Sequence, residues 1–159
     1  MKILNFLAAS LIVATACTSC GNNAPKTEES TLPKVYMTTD ISPEGLVKVY
    51  EALGREATGR VAVKISTGEP GGKNYLKPEL IGDLVKKVNG TIVECNTAYA
   101  GPRFTTEAHM QVAKDHGFCD IAEVDIMDAE GEIQLPVKDT SRMKYNIVGS
   151  HLANYDFMI

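Results

Sequence analysis

The 159-residue sequence lacks the features that mark nucleic-acid and nucleotide binding. Its 16 Lys and Arg residues are outnumbered by 20 Asp and Glu, which gives a formal net charge of −4. Nucleic-acid-binding domains normally carry a basic patch, so we do not expect nucleic acid as a partner. The sequence contains neither a GxxxxGK[ST] phosphate-binding loop nor a GxGxxG dinucleotide motif. It has no Trp, but 44% of its residues are apolar, which is enough for a globular core.

Cysteine is scarce, and two of the four cysteines lie near the N-terminus. The other two, Cys95 and Cys119, are in no metal-ligand spacing, and each follows or lies in an apolar, strand-like run. We expect two buried thiols at these positions. A disulfide between them is the alternative, because pairing is permitted outside the cytoplasm.

The first 19 residues are typical of a bacterial lipoprotein signal peptide. Met1 and Lys2 supply the positive end, and the apolar stretch 3–16 has the length of a signal core but is too short to span a bilayer. Small residues lead to Cys20, which we expect to accept the lipid, with Cys17 as the alternative. A secretory signal without a lipid is a further alternative. We therefore expect an exported protein anchored to the membrane by lipid on the periplasmic or cell-surface side, with residues 20–33 as a polar, flexible tether.

Residues 34–159 alternate between strand-like and helix-like segments. This order predicts an α/β domain, a mostly parallel sheet with helices on both faces. Because the sequence stops within an apolar run, we expect an incomplete domain, the front part of a longer one. The pattern predicts strands at 35–38, 61–65, 91–94 and 121–124, helices at 42–54, 78–88 and 105–116, a hairpin arm at 133–137, and extended segments at 146–150 and 155–159.

Glycine and hydroxyl residues are concentrated directly after the predicted strand 61–65. Backbone N–H groups of such a loop, flanked by lysines, can bind an anion at the carboxyl end of a parallel strand. A flexible wide turn is the equally weighted alternative. The candidate ligand-binding residues here are Lys64, Ser66, Glu69, Gly71 and Gly72.

A second group of polar residues follows the predicted strand 91–94. Glu94, Asn96, Arg103 and His109 are its candidates, and His151 joins them from a later loop. Because parallel strands end at the same edge of a sheet, we expect both groups to line one common pocket.

The histidines and serines give no metal or catalytic motif. His109 and His116 are about 10 Å apart along a helix, too far to bind one metal, and no metal site in the chain is convincing. A Ser–His–acid triad built on Ser66 or Ser150 lacks a GxSxG elbow, so no catalytic residue is identified.

Four long runs closely resemble one family: VAVKISTGEPGGKNYLKPELI, TIVECNTAYAGPRFTTEAHMQVAKDHGF, VDIMDAEGEIQLPV and VGSHLANYDFMI. They are similar to the amino-terminal half of the domain of unknown function 362 family, over roughly residues 35–159. The resemblance implies that longer relatives continue into a part with CxxCxxC cysteines that hold [4Fe–4S] clusters.

This chain lacks those cysteines, so we expect no cofactor within it and either an iron–sulfur partner or a missing second half. The resemblance implies a redox-linked role with metal or small-anion binding. The alternatives are a non-catalytic, surface-anchored binding domain for a ligand or partner, and a truncated remnant.

Overall fold

The computed structural model describes residues 33–159, of which 35–159 form one compact unit. The predicted signal peptide, Cys17, Cys20 and nearly all of the tether lie outside the described residues. Within the part that is described, no helix is long and apolar enough to cross a membrane.

The elements of the unit are α1 (Pro43–Ala52), β1 (Val61–Lys64), α2 (Pro78–Lys87), β2 (Gly90–Glu94), α3 (Thr106–Asp115), a 3-10 helix (Phe118–Asp120), β3 (Val124–Ile126), β4 (Glu132–Pro136), β5 (Tyr145–Gly149), a second 3-10 helix (Ser150–Asn154) and β6 (Phe157–Met158). The centre of the unit is a parallel four-stranded sheet in the order β3-β2-β1-β6. A separate antiparallel pair, β4 and β5, forms a hairpin between β3 and β6. The α/β class and the mostly parallel sheet predicted from the sequence are confirmed.

Local signals account for the starts of the helices. Ser42 caps α1 by accepting a hydrogen bond from the Gly45 N–H at 3.0 Å, and Pro43 occupies the first turn. Thr105 caps α3 in the same way. α2 begins at Pro78 after Lys77, whose side chain makes no capping hydrogen bond.

The core lies on both faces of the sheet, because successive strand residues point to opposite faces. Val63 and Ile92 belong to a cluster that includes α2 residues Ile81 and Val85. Ala62 belongs to the opposite cluster, which also contains Val93 and Met127 and is packed by Leu152 and Tyr155 from the second 3-10 helix and its end.

Two predicted strands are corrected. Residues 35–38 form no strand, and Val35 is 93% exposed, because the position beside β1 is taken by β6 and the run has no partner strand. The strand predicted at 121–124 lies later, at Val124–Ile126, since Gly117, with φ 82°, leads into a 3-10 helix instead.

The two body cysteines are free, so the disulfide alternative is not realised. Both are half-buried rather than fully buried. Cys119 lies in the 3-10 helix Phe118–Asp120 and not in a strand, and Cys95 directly follows β2.

Candidate functional site

The order of the strands identifies one edge as the place to look for a ligand. The chain runs from β1 to β2 to β3 in one direction and then returns to add β6 on the other side of β1. Because parallel connections are right-handed, the connections on the two sides of β1 leave by opposite faces of the sheet. Ligands of open α/β sheets bind at such a switch point, outside the carboxyl ends of the strands.

A cavity of about 420 Å³ lies at this edge, and we call it the switch-point pocket. Lys64 ends β1, Met158 ends β6 and Cys95 follows β2, so three neighbouring strands contribute to its lining. Most of its surface is apolar. Lys64, Cys95, Asp128, Glu132, Leu152 and Met158 are among the lining residues.

The opposite wall of the switch-point pocket is the base of the β4–β5 hairpin. Gly149 ends β5 and is buried against the backbone of Met127. Backbone hydrogen bonds from Ser150 N to Gly131 O at 2.9 Å and from His151 N to Met127 O at 3.0 Å hold this base in place. The hairpin therefore positions one side of the cavity.

Lys64 is the cation of the switch-point pocket. Its side chain is exposed, and Nζ donates to the Ile65 carbonyl at 2.5 Å. The Asp128 carboxylate accepts a hydrogen bond from the Asn96 N–H at 2.9 Å, which ties the loop after β2 to the pocket. Burial, and next the negative charge of Asp128, raise the pKa of the Cys95 thiol. Cys95 is therefore a neutral thiol at pH 7 and not an activated nucleophile.

An ionic group with a buried centre and an exposed rim, the Glu94 cluster, lies on the α3 side of the same edge. It consists of Thr67, Glu69, Glu94, Asn96, Tyr99, Arg103 and His109. Arg103 Nη1 donates to Glu94 Oε1 at 3.1 Å, and the Thr67 N–H donates to Glu94 Oε2 at 2.7 Å. His109 is fully buried in α3, with Nε2 at 3.1 Å from Glu94 Oε2.

The cluster keeps Glu94 ionised. Burial alone would raise the pKa of Glu94, but hydrogen bonds from His109 and Thr67 together outweigh it and hold the pKa at about 2. Arg103 extends the group toward the surface, where its Nη2 bonds Glu69 and also Tyr99 Oη at 3.1 Å. The Glu94 cluster thus locks the loops after β1 and β2 to α3.

His151 forms a separate pair with Asp125. Its Nδ1 is 2.7 Å from Asp125 Oδ1, and Nε2 is 3.4 Å from Glu130 Oε2. Tyr155 Oη donates to the other Asp125 oxygen at 2.7 Å. The hydrogen bond to Asp125 is the main cause that raises the pKa of His151 above its ordinary value.

The loop after β1 contains a defined turn. Gly72 N donates to Glu69 O at 2.9 Å, Pro70 follows Glu69, and Gly71 has φ 69°, which is the pattern of a type II turn. Gly71 and Gly72 line a cavity of about 500 Å³, the glycine-loop pocket, together with Lys73, Lys77, Asp115 and His116. Ser66 is exposed and lines neither of the two cavities.

The expected common pocket is therefore divided among several places along one edge. Five of the ten candidates meet in the Glu94 cluster, Lys64 lines the switch-point pocket, Gly71 and Gly72 line the glycine-loop pocket, and His151 pairs with Asp125. Ser150 Oγ is buried without a hydrogen-bond partner among the described residues, so no Ser–His–acid triad is assembled with His151. In the described part of the chain, no three His, Cys, Asp or Glu side chains are grouped to hold a metal.

Sequence reasoning missed Asp128, Leu152 and Met158 as pocket residues. In the sequence Asp128 begins the turn-like stretch Asp-Ala-Glu-Gly, and Leu152 and Met158 are ordinary apolar residues. Their positions could have indicated the pocket, because Met158 lies in a predicted extended segment and Asp128 closely follows a predicted strand.

Comparison with known proteins gives a family but no named relative. No curated protein matches the chain, and no solved structure matches it. Residues 61–159 match the family model described as a domain of unknown function, DUF362. The matched segment begins with β1 and includes the whole parallel sheet. Since it covers more than half of the sequence, the chain belongs to the DUF362 family.

Proposed function

We propose that this protein is a lipid-anchored, exported ligand-binding domain that holds a small molecule in the switch-point pocket. The ligand has an apolar body and an anionic group. One observation carries the proposal: an apolar cavity lies at the switch point, with Lys64 at its edge.

The chemistry of the lining supports this class of ligand. Leu152, Met127 and Met158 offer apolar contact, which favours an apolar body at about 25 cal/mol per Å² of buried surface. Lys64 can donate to a carboxylate, and its exposed ammonium can turn from the Ile65 carbonyl to a ligand. Asp128 and Glu132 face the cavity from the other wall, so hydroxyl or amino groups on the ligand would find acceptors there.

The export and the anchor in this proposal are supported by the sequence 1–20, with its apolar core and cysteines. A redox-linked role needs an iron–sulfur centre from a partner or a further domain. A [4Fe–4S] cluster takes about four thiolates, whereas the body contributes Cys95 and Cys119 alone. Ligand binding at the pocket is compatible with either setting.

Methionine methyl NMR tests the proposal, because Met127 and Met158 line the cavity. The probes are straight-chain carboxylates from butanoate to octanoate, added to the full chain carrying ¹³C-methyl methionine. We expect saturable shifts of the Met127 and Met158 signals, with each CH₂ tightening Kd by up to about fourfold, as 0.8 kcal/mol per CH₂ implies. The signal of Met37, which is 85% exposed, should not move.

The charge requirement is tested with Lys64→Gln. This variant should lose the preference for octanoate over octanol, while Lys48→Gln, on the exposed side of α1, should keep it. If no carboxylate moves the two methionine signals, or if Lys64→Gln binds octanoate as the wild type does, the proposal is wrong.

A further inference from the structure

The glycine-loop pocket is separate from the switch-point pocket, and the function proposed above does not use it. The two cavities share no lining residue. The glycine-loop pocket lies between the turn after β1, the start of α2 and the end of α3. Its volume of about 500 Å³ is sufficient for a small organic anion.

Basic groups exceed acidic groups in this lining. Lys73 and Lys77 face the cavity, and Asp115 is the one carboxylate among the lining residues. Asp115 already accepts a hydrogen bond from Gln111 Nε2 at 2.7 Å. An anion that enters the cavity therefore meets two ammonium groups and one engaged carboxylate.

His116 is held in a fixed orientation at the pocket wall. Its Nδ1 donates to the Thr67 carbonyl at 2.7 Å, because a carbonyl can only accept. Its ring stacks on Tyr75 with centroids 4.1 Å apart and planes 8° apart. Among the described residues no group bonds Nε2, so this nitrogen is available to a ligand. A rigidly held ring loses little conformational entropy when it binds.

Lys77 Nζ lies 3.7 Å from the centre of the Tyr75 ring, on the face opposite to the one on which His116 stacks. Lys77 precedes Pro78 at the start of α2, where the positive end of the helix dipole adds to the lysine charges and Glu79 in the first turn, outside the pocket lining, opposes them. The fold thus concentrates positive potential in a pocket beside a glycine turn. Among the described lining residues, Asp115 is the one carboxylate, and it forms no ion pair with Lys73 or Lys77.

We infer that the glycine-loop pocket binds a phosphate group, as free phosphate or as a phosphate monoester. Lys73 contributes a charge-assisted hydrogen bond, Lys77 contributes another when its ammonium turns from the Tyr75 ring to the anion, and His116 Nε2 bonds a phosphate oxygen. The Pro70–Gly71 turn lets the backbone approach the anion, since glycine places no side chain there.

The test is a titration of the full chain with inorganic phosphate and, in parallel, with phenyl phosphate at constant ionic strength. Binding is followed by the imidazole NMR signals of the three histidines. We expect the His116 signals to shift saturably while His151 and the Met127 and Met158 methyl groups stay in place. A tighter Kd for phenyl phosphate assigns the ester, and equal values assign the free anion.

Matched lysine variants check the assignment. Lys73→Met and Lys77→Met should each weaken phosphate binding by roughly tenfold, the value of one charge-assisted hydrogen bond. Lys86→Met, in the last turn of α2, should leave it unchanged. The inference is overturned if phosphate does not move His116 in the wild type, or if all three variants bind it equally.

Discussion

At the scale of the residue, Glu94 shows how much one buried carboxylate holds together. It is 6% exposed and connects Arg103, His109 and the Thr67 backbone. Burying such a charge is costly unless it is paired and hydrogen-bonded, and here every partner is supplied by a different loop or helix. The carboxylate therefore fixes the loops at the edge of the sheet.

Glu94→Gln should destabilise the protein by roughly 1–3 kcal/mol, because Arg103 loses its buried carboxylate partner and keeps the half-exposed Glu69. Urea denaturation measures the change in the free energy of unfolding. Glu51→Gln is the matched control: it removes an exposed ion pair with Lys87 and should cost about 0–1 kcal/mol. Equal losses in the two variants would show that the Glu94 cluster adds nothing beyond a surface pair.

The ionisation of Glu94 also has a pH consequence. Since its folded pKa of about 2 lies below its ordinary value of 4.5, the stability it contributes is present above pH 4.5. That contribution is lost as the pH falls toward 2. Glu94→Gln should therefore flatten the acid limb of the stability curve between these two values.

The stability that His151 contributes changes with pH in the opposite direction. Its pKa is raised from 6.5 by the hydrogen bond to Asp125, so the pair stabilises the fold fully below pH 6.5 and the contribution is lost as pH rises through the raised pKa. NMR titration of the imidazole should give a pKa above 6.5 in the wild type. Asp125→Asn should lower it, because the charge that favours the imidazolium is gone. An unchanged pKa in this variant would contradict the assignment of Asp125 as the cause.

At the scale of the element, the β4–β5 hairpin depends on its base. Most of its strand residues are exposed, and a two-stranded hairpin alone is marginally stable in water. Gly149 lies where the hairpin meets the sheet, and a Cβ there would lie 2.5 Å from the Met127 carbonyl carbon and oxygen. The close approach, and not an unusual backbone angle, requires glycine at this position.

Gly149→Ala should therefore cost at least the 1–3 kcal/mol of an overpacked core, because the clash is with backbone that cannot rotate away. It should also shift the Met127 methyl signal. Gly101→Ala is the control, since a Cβ at Gly101 meets nothing within 4 Å. If both glycine variants unfold at the same denaturant concentration as the wild type, the hairpin base is not tightly packed.

The sequence predicted the elements that carry strong local signals. Ser42, Thr105 and Pro78 mark helix starts, and the three α-helices among residues 33–159 begin there. It failed at 35–38, where β-forming residues have no partner strand, because pairing is decided by distant chain segments. The parallel alignment of β6 beside β1 brings together residues more than 90 positions apart.

At the scale of the whole molecule, the sequence predicted the edge of the sheet but not the division of its polar residues. Lys64 and Glu94 both lie at the carboxyl ends of strands, as predicted. The sequence does not indicate that they line different cavities. Alternation along the strands places Glu94 with Ile92 on the α2 and α3 side, whereas Lys64 shares the side of Ala62. Only the register of β1 against β2, with Lys64 opposite Val93, determines which side chains share a cavity.

The proposed anchor and the two proposed sites together suggest a simple arrangement. A lipid would hold the N-terminus at the membrane, and the polar segment 20–33 would connect it to the ligand-binding unit. A single acyl chain binds membranes only marginally, so stable anchoring needs more than one chain. Diacylglycerol on a cysteine supplies two chains in one modification.

Cys20→Ala should therefore abolish incorporation of labelled fatty acid and release the protein from the membrane fraction. Cys20 is preferred over Cys17 because Gly21, Asn22 and Asn23 begin the polar segment directly after it. Undiminished labelling of Cys20→Ala, lost only in Cys17→Ala, would move the lipid to Cys17. Cys95→Ala serves as the control, since a half-buried thiol of the folded unit should not affect labelling. Absence of label from the wild type would refute the anchor, whereas label that persists when both N-terminal cysteines are replaced would show that neither of them accepts the lipid.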